Sequence, residues 1–248
     1  MPTLHLLGTG AAFSSPDRTT TMLALTDAGS TLVIDCGGDV VQRMLAAGID
    51  LRSFTALLLT HEHIDHVGGF PLFMEKMWLA GRRRPLPVHG IPRALDQARR
   101  CFATFDTSGW DGMPEVDWQE FPLEEDAAVR DDGTWRVTAA PARHAKPCAA
   151  FRIEHRSTGR VVAFSADTEP VPEVARLARG ADVLVHEATG GVGGHSTAAE
   201  AAGIAAEAGV GRLLLVHLPP NLSDADLAAA RARFPQTAWG EELGAYPF

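Results

Sequence analysis

Thr60-His61-Glu62-His63-Ile64-Asp65-His66 decides how the rest of the chain is read. Three imidazoles and a carboxylate, all able to bind a borderline-soft cation, stand between positions 61 and 66. Just upstream, Ala56-Leu57-Leu58-Leu59-Thr60 is short, apolar and bounded, which predicts a strand buried on both faces. The cluster therefore emerges at a strand end, and in open α/β sheets ligands bind outside the carboxyl ends of strands. On a strand His61 and His63 point the same way, while the turn beyond lets Asp65 and His66 face a second position nearby. A lone histidine is an ordinary surface or core residue. Imidazoles and a carboxylate crowded at one strand terminus repel or desolvate one another unless a cation holds them.

Outward from this stretch, strands and helices alternate. Leu4–Leu7, Met22–Leu25 and Thr31–Ile34 read as strands, and Asp39–Ala47 as a helix closed by Gly48. Downstream, Phe70–Trp78 and Pro92–Phe102 read as helices around an extended Pro87–His89. Residues 103–122 carry four aromatics with Gly109, Gly112 and Pro114, and read as an irregular loop that folds over a pocket. Val137–Ala140, Ala149–His155 and Arg160–Ser165 read as strands, the last two joined by the hairpin Arg156-Ser157-Thr158-Gly159. Helices Val171–Arg179, Thr197–Ala208 and Asp224–Arg233 alternate with the buried-strand runs Val183–His186 and Leu213–His217. Ser196 and Thr197 sit where a helix cap belongs, and Glu200 completes a capping-box pattern. Alternation in both halves predicts a layered α/β architecture.

With 248 residues, no internal repeat and no linker, the whole span 1–248 is expected to form one domain. The hydrophobic share of 46% fills a core without suggesting a membrane protein. No run of 18 uncharged apolar residues and no signal-like N-terminus is present, so a cytoplasmic location and no membrane partner are expected. Cys36, Cys101 and Cys148 are odd in number and widely spaced, which argues against a disulfide framework and against a thiolate metal site. A net charge of −9 disfavours non-specific polyanion binding, although divalent cations in a pocket reverse the local field. Arg82-Arg83-Arg84, with Lys76, Arg93, Arg99 and Arg100 nearby, is the one basic patch, read either as solvated surface or as a contact for a phosphate. Phe105, Trp110 and Trp118 are candidates for stacking on a base, with core packing or a dimer contact as the competing reading.

The motif HxHxDH, intact here as His61, His63, Asp65 and His66, resembles the signature of the metallo-β-lactamase superfamily. The resemblance implies a four-layer αββα sandwich and further ligands at His144, Asp167 and His217, each at or just beyond a predicted strand end. It also implies two zinc ions, with manganese or iron as alternatives: one on His61, His63 and His144, the other on Asp65, His66 and His217, with Asp167 between. Such a pair, about 3.5 to 4 Å apart, lowers the pKa of a shared water toward neutrality and supplies a nucleophile.

Leu7-Gly8-Thr9-Gly10-Ala11-Ala12, Ser15-Pro16-Asp17-Arg18 and Ile34-Asp35-Cys36-Gly37 are similar to the opening of the ribonuclease Z-like group. Val185-His186-Glu187-Ala188-Thr189 and Gly194-His195-Ser196-Thr197 are similar to its second half. That likeness implies His195 as the acid that protonates the leaving oxygen and Glu187 as its orienting carboxylate, so the catalytic set is Asp65, His195 and Glu187. Ribonucleases of the group usually carry a long arm between the positions matching His144 and Asp167. Here only 22 residues, 145–166, separate the two, and a hairpin takes up most of them. The expectation is therefore a phosphodiesterase for small phosphodiesters, with a ribonuclease Z-type endonuclease acting on transfer RNA 3′ ends as the alternative. A lactonase or thioesterase, an iron redox protein and a non-enzymatic binding module are the more distant readings. Relatives often form homodimers, so a second copy is an implied partner.

Overall fold

In the computed structural model, residues 1–27, 29–191 and 193–248 are described. In chain order the strands and helices of the first half are β1 (Thr3–Gly8), β2 (Met22–Asp27), β3 (Ser30–Ile34), α1 (Val40–Ala46), β4 (Phe54–Leu59), α2 (Ile64–Val67), α3 (Phe70–Leu79), β5 (Leu86–Gly90), α4 (Pro92–Phe102) and β6 (Val116–Glu120). The second half contributes β7 (Ala127–Asp131), β8 (Trp135–Ala142), β9 (Cys148–His155), β10 (Val161–Phe164), α5 (Pro172–Leu177), β11 (Val183–Glu187), α6 (Ala198–Ala208), β12 (Arg212–Val216), α7 (Asp224–Arg233), β13 (Thr237–Trp239) and β14 (Gly244–Pro247).

Two seven-stranded mixed sheets result, ordered β14-β1-β2-β3-β4-β5-β6 and β13-β12-β11-β10-β9-β8-β7. Period-two alternation explains how the second sheet is sandwiched. Phe151, Ile153, Val183, Val185, Leu214 and Val216 enter the core shared with Leu4, Leu6, Leu23, Val33 and Leu58 of the first sheet. Their neighbours Ala150, Leu184, Leu213 and Leu215 face the other way, onto Val174, Ala201 and Ala205 of α5 and α6. Both faces are buried, so the sequence runs are continuously apolar, and each fully buried Leu or Val contributes about 1.5–3 kcal/mol of transfer free energy. Helices on the outer faces complete the αββα sandwich.

Local signals act as the sequence suggests. Asp39 caps α1 through Gln42 N–H, and Thr197 with Glu200 forms a full capping box on α6. Three features differ from expectation. Val116–Glu120, within the stretch read as an irregular loop, pairs in parallel with β5 as an edge strand. Strand β7 joins β8 although its sequence Ala127–Asp131 carries little alternation. Ile64–Val67 forms a short helix that turns Asp65 and His66 back toward the strand end. Among the described residues no helix is long and apolar enough to cross a membrane.

Parallel runs decide where the polar residues gather. β3, β4, β5 and β6 run parallel in one sheet, and β10, β11, β12 and β13 in the other. The segments leaving β4, β8, β10, β11 and β12 carry His61, His144, Asp167, the residues after Glu187, and His217.

Candidate metal centre

The seven residues expected as ligands converge. His63 Nδ1 lies 3.0 Å from His61 Nε2 and 3.0 Å from His144 Nε2. Asp65 Oδ2 lies 3.3 Å from His66 Nε2 and 3.2 Å from His217 Nε2. Asp167 Oδ2 stands between the two sets, 3.4 Å from His217 Nε2, 3.5 Å from His66 Nε2 and 3.9 Å from both His61 Nε2 and His144 Nε2. The atoms therefore fall into two groups of four that share Asp167.

These spacings suit coordination. Donors about 2.0–2.1 Å from one cation in a tetrahedron stand about 3.3 Å from one another. His66 Nε2 is buried and makes no hydrogen bond of acceptable geometry, although two carboxylate oxygens flank it. A buried polar nitrogen left unpaired costs stability, and a cation would satisfy it. The residues present thus fit divalent metal ions.

The outward nitrogens fix the tautomers. His66 Nδ1–H donates to Asp35 Oδ2 at 2.8 Å, and His144 Nδ1–H donates to the Gly194 carbonyl at 2.8 Å. His217 Nδ1 lies 2.6 Å from Thr189 Oγ1, and His61 Nδ1 lies 3.0 Å from Thr60 Oγ1. With these protons directed outward, the four Nε2 lone pairs face the cage, which is how ligating imidazoles are held. Thr60 in turn donates its N–H and its hydroxyl to Asp35.

The electrostatics follow from burial and crowding. Burial, with neighbouring His66, His144 and His63, pushes the His61 imidazole well below its ordinary range despite Asp167. Burial alone would raise Asp65, but the His217 and His66 imidazoles beside it outweigh burial and hold the carboxyl well below the carboxylate range. Asp167 is likewise driven down against burial by His217, His66 and His61. Both carboxylates are held in the ionised form, the form that binds a cation.

Beside the cage, His195 Nδ1 lies 3.1 Å from Glu187 Oε1. Its ring stacks on His217 at 5.6 Å between centroids and meets His144 edge-on at 4.9 Å. Glu187 is fully buried and its oxygens accept from the backbone N–H groups of Thr168, Thr189 and Ser196. Burial would lower His195, but the Glu187 hydrogen bond and the charges of Glu187, Asp167 and Asp65 prevail and raise it. A carboxylate so fixed holds one imidazole tautomer with Nε2 left for other work.

The site includes residues that sequence reasoning did not assign. Asp35, marked in the sequence by family likeness alone, follows a buried strand in the same way as His61 does, and that position is its signal. Thr189 and Gly194 act through a hydroxyl and a carbonyl, which no residue pattern announces. In the aromatic stretch the contacts match the packing alternative. Trp110 stacks flat on Trp78 of α3 at 5.0 Å, and Trp118 packs on Phe70 at 5.5 Å under the Arg99 guanidinium, so both belong to packing. Phe105 remains exposed.

The comparisons with known proteins agree with this geometry. Residues 30–218 match the family described as Beta-lactamase superfamily domain. Ribonuclease Z of Methanothermobacter thermautotrophicus is 31% identical over 98% of this chain and 95% of its own. Ribonuclease Z of Mycobacterium bovis is 31% identical over 88% of this chain and 86% of its own. Among solved structures, the metallo-β-lactamase fold protein YhfI from Bacillus subtilis superposes with a TM-score of 0.83 at 21% identity, covering 99% of this chain and 98% of that one. Human tRNase Z, short form, superposes with a TM-score of 0.80 at 22% identity, covering 99% of this chain and 98% of that one.

Proposed function

The chain belongs to the β-lactamase superfamily, in its ribonuclease Z-like group, and from that premise we propose that it is a zinc-dependent phosphodiesterase with a two-metal site and His195 as general acid. At the coarser level it is a metal-dependent hydrolase of phosphodiester bonds. His61, His63 and His144 would hold one ion, Asp65, His66 and His217 the other, and Asp167 both. The observation that carries the two-metal reading is the single oxygen Asp167 Oδ2, within 3.9 Å of a nitrogen from each set. Two such ions, when bound, lower the pKa of water and offset charge building on a phosphoryl group.

The protein's own groups supply the rest. The Glu187 carboxylate accepts from His195 Nδ1–H and favours the charged ring, and that imidazolium carries a second proton, at Nε2, for the departing oxygen. His217 and His144 wall the imidazole on two sides, so it cannot swing away from the cage without losing both ring contacts. Pre-set geometry of this kind lowers the entropic cost of reaching the reactive arrangement.

We read the substrate as a small phosphodiester. The interval 145–166 is taken up by a short turn, β9, the hairpin and β10, which leaves no inserted arm there to grip a folded RNA. The alignment with the Methanothermobacter ribonuclease Z runs over 299 positions against 248 residues here, so that relative carries segments this chain lacks. The second reading, cleavage of transfer RNA 3′ ends, is favoured by the names those relatives bear. Purified protein with measured metal content, assayed on a chromogenic phosphodiester, a panel of cyclic phosphodiesters and a precursor transfer RNA, decides between them. Efficient single-site RNA cleavage that falls steeply with salt would reverse the order.

A further inference from the structure

Seven basic residues stand between positions 76 and 100, and the structure divides them. Lys76 pairs with Asp39, Arg93 with Glu62, Arg99 with Glu120 and Arg100 with Asp96. Arg82, Arg83 and Arg84 have no carboxylate within 4.0 Å among the described residues. Backbone carbonyls hold them instead. Arg82 donates to the carbonyls of Phe54, Arg84 and Pro85, Arg83 to those of Trp78 and Arg82, and Arg84 to that of Arg52.

Carbonyl bonds fix a guanidinium in place without neutralising it. Arg82 lies over the Phe54 ring at 5.5 Å, half-buried, and burial together with the nearby Arg84 charge lowers its pKa. Two cations are thus held in mutual repulsion, an arrangement that an anion relieves. The three arginines line a cavity of about 310 Å³ together with Leu51, Met77, Ala80, Gly81 and Arg52, whose guanidinium is already paired with Asp50 at 2.8 Å. That volume is at the lower end of small-ligand sites. A planar guanidinium with free N–H edges matches phosphate oxygens two at a time.

The place of the cavity separates it from the metal cage. Arg82 bonds to Phe54 at the start of β4, while His61 follows its end, so the two lie about 20 Å apart at about 3.3 Å per strand residue. We propose that Arg82, Arg83 and Arg84 form a second site, remote from the metals, that binds phosphate groups, free or carried on a polynucleotide backbone.

The test uses the metal-loaded protein and the double charge reversal Arg83→Glu with Arg84→Glu, leaving the three carbonyl bonds of Arg82 intact. One arm measures anisotropy of a labelled, uncleavable 2′-O-methyl RNA across a salt series. The other measures inorganic phosphate binding by titration calorimetry on both proteins. Expected is a tenfold or greater loss in at least one arm, with the RNA salt slope falling by about 1.5–2 if two phosphates are engaged there. The arm that responds identifies the source of the phosphate. Turnover of a small chromogenic phosphodiester should stay within twofold of wild type, since it reads only the metal cage. Affinities within twofold of wild type in both arms, in a variant with unchanged thermal melting, would overturn the second site and leave the phosphodiesterase reading untouched.

Discussion

Asp35 Oδ2 accepts from His66 Nδ1–H at 2.8 Å, joining the end of β3 to the helix that follows β4. Asp35 is fully buried and holds a left-handed backbone with φ of 61°. Ala166 and His217, at two further strand ends beside the cage, share that conformation with φ of 52° and 56°. For residues with a Cβ such torsions cost about 1–3 kcal/mol each when strained, and they persist where surrounding contacts over-determine them. Three of the five non-glycine residues with positive φ among the described residues thus stand where the ligands turn inward, Asp126 and Leu243 being the others.

Removing that carboxylate should loosen the metal that His66 holds. Asp35→Ala leaves His66 Nδ1–H and the Thr60 N–H without their acceptor. We expect a 10–100-fold loss of affinity for one equivalent of zinc, read by competition with a chelator, while the second equivalent is retained. Asp35→Asn, which keeps an acceptor, should recover part of the loss. Equal affinity for both equivalents in the alanine variant would show that Asp35 does not orient the ligand.

Much of this was legible in the residues. The cluster between His61 and His66 could be read because short-range spacing and incompatible charges expose it without knowledge of the fold. His144, Asp167 and His217 come through family likeness, since each stands apart from the cluster with no second ligand-type residue at a telling spacing beside it. Strand β6 escaped because its side chains are half-exposed and its pairing with β5 is supplied by a neighbour distant in sequence. Strand β7 escaped likewise, with Ala127, Ala128 and Arg130 giving no period. The paired and unpaired basic residues look alike in one dimension, since Asp39, the partner of Lys76, and Glu62, the partner of Arg93, come from other elements.

Gly37 is required by proximity. A Cβ built there meets the Asp65 carbonyl oxygen at 1.6 Å and the His66 nitrogen at 2.8 Å. The Cys36 N–H donates to the His66 carbonyl at 2.8 Å, so the two segments cannot part without breaking that bond. Gly37→Ala should lower Tm by at least about 3 °C and reduce bound zinc below the wild-type stoichiometry. A variant with full metal and an unchanged melting curve would mean that the α2 segment yields more easily than its contacts suggest.

His195 offers a way to separate acid catalysis from simple packing. His195→Ala should cut kcat on a phosphodiester with a poor leaving group by about 10²–10⁴ with metal content unchanged. The loss should shrink markedly on a substrate whose leaving group departs without a proton. A uniform loss on both substrates points to a structural role instead. Wild-type turnover on both removes the acid assignment and revives a lactonase or thioesterase chemistry that needs no acid there.

The last expectation concerns stability and lies away from the metals. His89 on β5 is buried, and Arg130 donates to its Nε2 at 3.2 Å. Burial and the Arg130 charge lower its pKa from 6.5 to about 4. The unfolded chain then binds more protons than the folded one between pH 6.5 and about 4, so this residue favours folding above that window. The contribution is lost as pH falls through it, amounting to about 2–3 kcal/mol at most. His89→Gln keeps an acceptor for Arg130 but does not titrate. Urea unfolding of both proteins, at equal metal loading, should show the wild type losing about 2 kcal/mol more than the variant between pH 7 and pH 4.5. Taking the difference cancels protonation of the cage histidines, which both proteins share. A difference that stays flat across that range would mean His89 accepts its proton in the folded state as readily as in the unfolded one.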